Sequence, residues 1–136
     1  MKKKGTVIVL LLMLMYCFNP FGKSEVEAQT AVRTVYAPPN GTWIVYGTFT
    51  KSTTSNKVYA TNYSGHGIIN HCYGHARSNL SGTWVTYSSD VYLPKNDVQK
   101  TINLTNTIDV GKGISLRVTG AVGQTDYDKN VIKYEF

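Results

Sequence analysis

All three histidines of the chain, and one of its two cysteines, fall within a single short segment. It reads His66-Gly67-Ile68-Ile69-Asn70-His71-Cys72-Tyr73-Gly74-His75. Imidazole nitrogens and a thiolate are good ligands for zinc and copper, which makes His66, His71, Cys72 and His75 the candidates for holding a metal. On a strand, His71 and His75 share one face and Cys72 takes the other. On a helix the two histidines lie one turn apart, but Gly65, Gly67 and Gly74 disfavour a helix. No CxxC pair or other usual zinc spacing is present. The expectation is no metal and no cofactor, with the histidines making ordinary hydrogen bonds in a Gly-rich loop and strand.

A cysteine flanked by histidines is also the raw material of a nucleophile, since a neighbouring base or cation lowers a thiol's pKa. The motifs that surround catalytic cysteines are absent. No acid lies between Glu27 and Asp90 to orient a histidine. The chain is therefore expected not to be an enzyme, and Cys72 to be a small buried apolar residue. Pairing of Cys72 between two chains stays open. Asp126, Asp128 and Asn130 alternate like the opening of a calcium loop, but the glycine and closing glutamate are missing. A polar hairpin turn is expected there.

The elements that must position these side chains are strands. The chain is rich in Thr, Val, Ile, Tyr and Ser, with turn residues at short intervals. Residues 114–119 (Ile-Ser-Leu-Arg-Val-Thr) alternate strictly, as a strand with one wet face requires, and residues 101–105 do the same. Residues 131–136 put Ile132, Tyr134 and Phe136 on one face, with Lys133 and Glu135 on the other. Residues 42–50, 57–63 and 83–93 are further candidate strands. Asn40-Gly41-Thr42-Trp43 is echoed by Ser81-Gly82-Thr83-Trp84, each followed by a tyrosine, Tyr46 or Tyr87. Such aromatics suit a core between two sheets, or else an exposed platform for a ligand. The fold class expected is all-β, a small antiparallel β-sandwich with a barrel as the alternative.

At the N-terminus Lys2, Lys3 and Lys4 precede an apolar run over residues 6–18, followed by Pro20, Gly22 and the small-residue pattern Val26-Glu27-Ala28. This is the three-part plan of a cleaved secretory signal, residues 1–28, too short for a comfortable membrane span. Cys17 has Met15 and Tyr16 before it, unlike a lipid-attachment site. Cleavage leaves a single domain, residues 29–136, secreted and without a transmembrane segment. Removing four of fourteen basic residues and two of eight acidic ones gives it a formal charge of +4. Those charges are scattered, which speaks against nucleic acid as a partner. They suit an anionic surface, or simply a solvated one.

Gly41-Thr42-Trp43, Tyr46-Gly47, Val58-Tyr59, Asn62-Tyr63, His66 and His71 together resemble the lactococcin nine-seventy-two family over residues 41–75. The resemblance implies an exported, unmodified β-sandwich bacteriocin that blocks septum formation by binding a cell-wall precursor. Thr61 stands where that family has serine, and Ser64 and Gly65 intervene before His66. The implied function is a secreted antibacterial protein, acting without catalysis at the envelope of competing Gram-positive bacteria. The alternative is a non-toxic binding module for a carbohydrate or cell-wall polymer. The expected partner is a cell-wall precursor or an anionic cell-envelope polymer. The expected binding residues are Trp43, Tyr59, Tyr63, His66 and His71, the aromatics stacking and the histidines donating to phosphate or sugar. Monomer and dimer remain equally open.

Overall fold

A computed structural model describes residues 28–136 and contains no helix among them. The expected export signal lies outside the described residues except for Ala28, as does Cys17. Nine strands follow in order: β1 (Thr30–Ala37), β2 (Ile44–Thr50), β3 (Lys57–Asn62), β4 (His71–Ser78), β5 (Val85–Thr86), β6 (Val91–Pro94), β7 (Gln99–Asn103), β8 (Gly113–Thr119) and β9 (Asp128–Glu135). They form two antiparallel sheets packed against each other, a sandwich rather than a closed barrel. The first sheet runs β1-β9-β3-β7. The second runs β2-β8-β4, and the far edge of β4 is shared end to end by β6 and β5.

Period-two alternation puts the core where expected. Ile114, Leu116 and Val118 of β8 meet Ile132 and Tyr134 of β9 across the interior, all fully buried. Lys133 and Glu135 point away and pair with each other at 2.9 Å. One end of the core is aromatic: Phe49 stacks on Phe136 with ring centroids 4.5 Å apart, and Tyr46 and Tyr134 pack beside them. A bulge between Val45 and Gly47 admits Tyr46 as an extra residue and turns it inward. Its hydroxyl donates to the Ile132 carbonyl at 2.6 Å, tying one sheet to the other. A Cβ at Gly47 would sit 2.6 Å from the Phe49 ring and 2.7 Å from the Arg33 guanidinium, so any larger residue there must displace those side chains.

Several expectations need correction. The strand expected over residues 83–93 is broken into β5 and β6. Tyr87 N–H donates to the Ala76 carbonyl, and the Ser88 hydroxyl accepts from Ala76 N–H at 2.8 Å. A side chain thus replaces a ladder bond, and the chain swings outward before re-pairing. Residues 126–130 are not simply a polar turn: Asp128, Lys129 and Asn130 already belong to β9, with Asp128 and Asn130 buried. Each has a partner that offsets desolvation, Asp128 the ammonium of Lys95 and Asn130 the Asn62 amide at 2.9 Å. β1, an edge strand, leaves Val32 and Tyr36 exposed, so its residues show no clean alternation. The outer face of β8 is not wet either, since Ser115 and Thr119 are covered. Thr119 is held under the turn at Gly41, whose N–H donates to its hydroxyl at 3.1 Å.

Candidate functional site

β4 carries the His-rich segment, and its pleat sorts the side chains. Cys72, Gly74, Ala76 and Ser78 face the core, whereas His71, Tyr73, His75 and Arg77 face outward. Cys72 is fully buried, with the Asn62 amide 3.5 Å from its sulfur, and burial pushes its thiol up to about 12. The four residues considered for a metal therefore do not converge, because the strand sends Cys72 to one side and His71 and His75 to the other. Among the described residues no three His, Cys, Asp or Glu side chains come together in a way that could hold an ion.

The outer face of this second sheet places aromatic rings beside two of the histidines. β4 and β6 are in register with Tyr73 opposite Tyr92. His71 lies over Tyr92 with ring centroids 4.6 Å apart and meets Tyr73 edge-on at 5.5 Å. Tyr92 remains 46% exposed, so this trio is open to a partner. Partial burial and the nearby Lys95 ammonium hold the His71 imidazole below its ordinary pKa, favouring the neutral ring. Its Nδ1 is 2.6 Å from Asn70 Oδ1.

Four residues further along the same face, about 13 Å at strand rise, a second group assembles. Trp43, immediately before β2, lies on His75 with ring centroids 4.0 Å apart. His75 Nδ1 is 2.9 Å from Asp90 Oδ1, while its Nε2 is buried and has no partner. That geometry assigns the proton to Nδ1: a second proton on Nε2 would have no acceptor. Arg117, opposite His75 on β8, aims Nη2 at the Trp43 carbonyl at 3.1 Å. Next to Trp43 is an open cavity of about 280 Å3, lined by Trp43, Tyr73, Asp90, Asn40, Thr119 and Val122 beside Gly41.

Compared with known protein families, characterised proteins and solved structures, the chain matches none. The site rests on its own geometry.

The five expected binding residues are not brought together. Trp43 and His71 sit on the outer face of the second sheet. Tyr59 lies on β3, opposite Thr101 and Glu135, and faces outward from the first sheet. Tyr63 continues β3 by donating its N–H to the Val131 carbonyl at 2.9 Å. His66 stands in the loop between, near Asp97, whose carboxyl is held below its ordinary value chiefly by two hydrogen bonds from Ser64. Sequence spacing made these residues neighbours, and the sandwich places them on opposite surfaces. The residues left out of the binding set are Tyr73, His75, Asp90 and Tyr92. Strand alternation from His71 already picks out Tyr73 and His75. Tyr92 and Asp90 depend on how β6 pairs with β4, which no local pattern reveals.

Proposed function

We propose that this chain is an exported antibacterial protein that acts by binding, without turnover, at the envelope of competing Gram-positive bacteria. The contact surface in this reading is the outer face of the second sheet. The supporting observation is two groups of rings on that face: His71, Tyr73 and Tyr92 at one end, and Trp43, lying over the buried His75, at the other. Large amphipathic rings with polar tips, partly exposed on a rigid strand scaffold, make a recognition surface at little entropic cost. The likeness of residues 41–75 to the lactococcin nine-seventy-two family supports the antibacterial half of the reading. The target is an envelope component such as a wall precursor or wall polymer.

The experiment is growth inhibition of a panel of Gram-positive indicator strains by the purified protein, alongside sedimentation with isolated walls. Inhibition that falls at least tenfold in Tyr92→Ala, but not in Tyr63→Ala on the opposite sheet, is the expected result. Wall binding with no inhibition of any strain would make the protein a non-toxic binding module instead. Neither binding nor inhibition by folded protein would sink both readings.

A further inference from the structure

The cavity beside Trp43 differs in chemistry from the rest of this basic molecule. Its only charged lining residue is an acid, Asp90. The Arg117 guanidinium, which is directed at the Trp43 carbonyl, does not line the cavity. An anionic ligand entering here meets a carboxylate with no cation to offset it, which disfavours phosphate.

The carboxylate is also held in position. Asp90 Oδ1 accepts from His75 Nδ1 at 2.9 Å, and His75 is itself buried and clamped by the Trp43 ring at 4.0 Å. Among the described residues the Asp90 carboxyl is hydrogen-bonded through Oδ1, and its side chain is 57% exposed, which leaves Oδ2 to accept from a ligand. A carboxylate oxygen accepting from a hydroxyl makes a stronger bond than a neutral pair. Asn40 adds an amide able to donate and accept, and Tyr73 and Trp43 add ring surface. At about 280 Å3 the cavity is at the small end of ligand sites, which suits one ring rather than an extended chain.

We propose that this cavity binds a single neutral pyranose unit, with Trp43 and Tyr73 packing on its apolar C–H face. Asp90 Oδ2 and Asn40 hydrogen-bond its hydroxyls, and His75 is the positioning residue for Asp90. The proposal rests on the reading of this face as the binding surface and names the ligand class for one end of it.

The test uses Trp84→Phe protein, in which Trp43 is the sole tryptophan. Its fluorescence is followed during titration with glucose, galactose, N-acetylglucosamine, glucose 6-phosphate and choline. A saturable change with at least one neutral sugar is expected, with glucose 6-phosphate at least tenfold weaker. Adding Asp90→Asn, which keeps shape and removes charge, is expected to weaken that sugar at least tenfold while circular dichroism stays unchanged. Absence of saturation by all three neutral sugars up to about 0.1 M overturns the proposal. So does phosphate binding at least as tight as sugar, or saturation by choline alone. Because this readout needs no cells or walls, the two readings fail separately. Walls bound without any sugar response remove only the pocket, and sugar bound without wall binding removes only the envelope reading.

Discussion

Cys72 shows how a chemically suggestive residue can be disarmed by where its backbone lies. A thiol reacts as its thiolate, and this thiol is fully buried among core side chains with its pKa pushed up to about 12. The same burial keeps it from meeting a Cys72 of a second folded chain. Reaction of native protein with a thiol reagent at neutral pH is therefore expected to be at least a hundredfold slower than in denaturant. Equal rates would mean that β4 opens readily. Cys72→Ser is expected to keep growth inhibition and to lower stability by about 1–2 kcal/mol, since a hydroxyl is harder to bury than a thiol. Urea unfolding of the two proteins measures that difference.

The break between β5 and β6 is the element that builds the site. A continuous strand through residues 85–94 would hold Asp90 in the ladder. Because the Ser88 hydroxyl takes the Ala76 N–H, the chain leaves the edge of β4 and brings Asp90 back against His75. Tyr92 then pairs opposite Tyr73. Ser88→Ala leaves a buried N–H without its acceptor, with an expected cost of about 1–3 kcal/mol. Its urea midpoint should fall and, on the cavity reading, its sugar affinity with it. Unchanged stability would show that the backbone closes the gap by itself. The loop over residues 64–70 is pinned with similar specificity. Gly67 has φ +67°, and a Cβ there would be 2.5 Å from Asp128 Oδ1 and from the Lys129 carbonyl oxygen.

At the scale of the molecule, the two sheets are joined by polar ties as well as by the core. Lys95, just beyond β6 of the second sheet, pairs with Asp128 of β9 in the first, both almost fully buried. Burial of Asp128 works against its ionisation. The Lys95 ammonium and the N–H groups of Ile68 and Ile69 outweigh that and hold the carboxyl below its ordinary 3.8. A carboxyl lowered on folding stabilises fully above its unfolded value, and the stabilisation is lost as pH falls through the folded one. His71, lowered from 6.5, acts in the same direction at higher pH, since the unfolded chain takes up its proton first. Stability is therefore expected to decline in two stages on acidification, mildly below about 6.5 and steeply below about 4. Urea unfolding at a series of pH values checks this. Asp128→Asn should flatten the lower stage while lowering stability at neutral pH, and an unaltered lower stage would assign it to other carboxyls.

Much of this architecture is legible in the chain before it folds. Strict alternation in residues 114–119 and 131–136 marks β8 and β9 and their inward faces, because burial on one side of a pleated strand imposes a period of two. The spacing of His71, Cys72 and His75 fixes that the thiol and the two imidazoles part company on a strand. Turn chemistry at Gly41 and Gly82, both with positive φ, is equally local. What only the tertiary structure decided is which residues meet. Trp43 with His75, Asp90 with His75, and Tyr92 with Tyr73 are contacts between strands whose pairing depends on register, and register is set by the whole core rather than by any window. Tyr59 and Tyr63, close in sequence to His66 and His71, end on the opposite surface for the same reason: β3 and β4 belong to different sheets. The buried pair of Lys95 and Asp128 was hidden as well. A charge in a strand reads as solvent-facing until a partner from another element accounts for its burial.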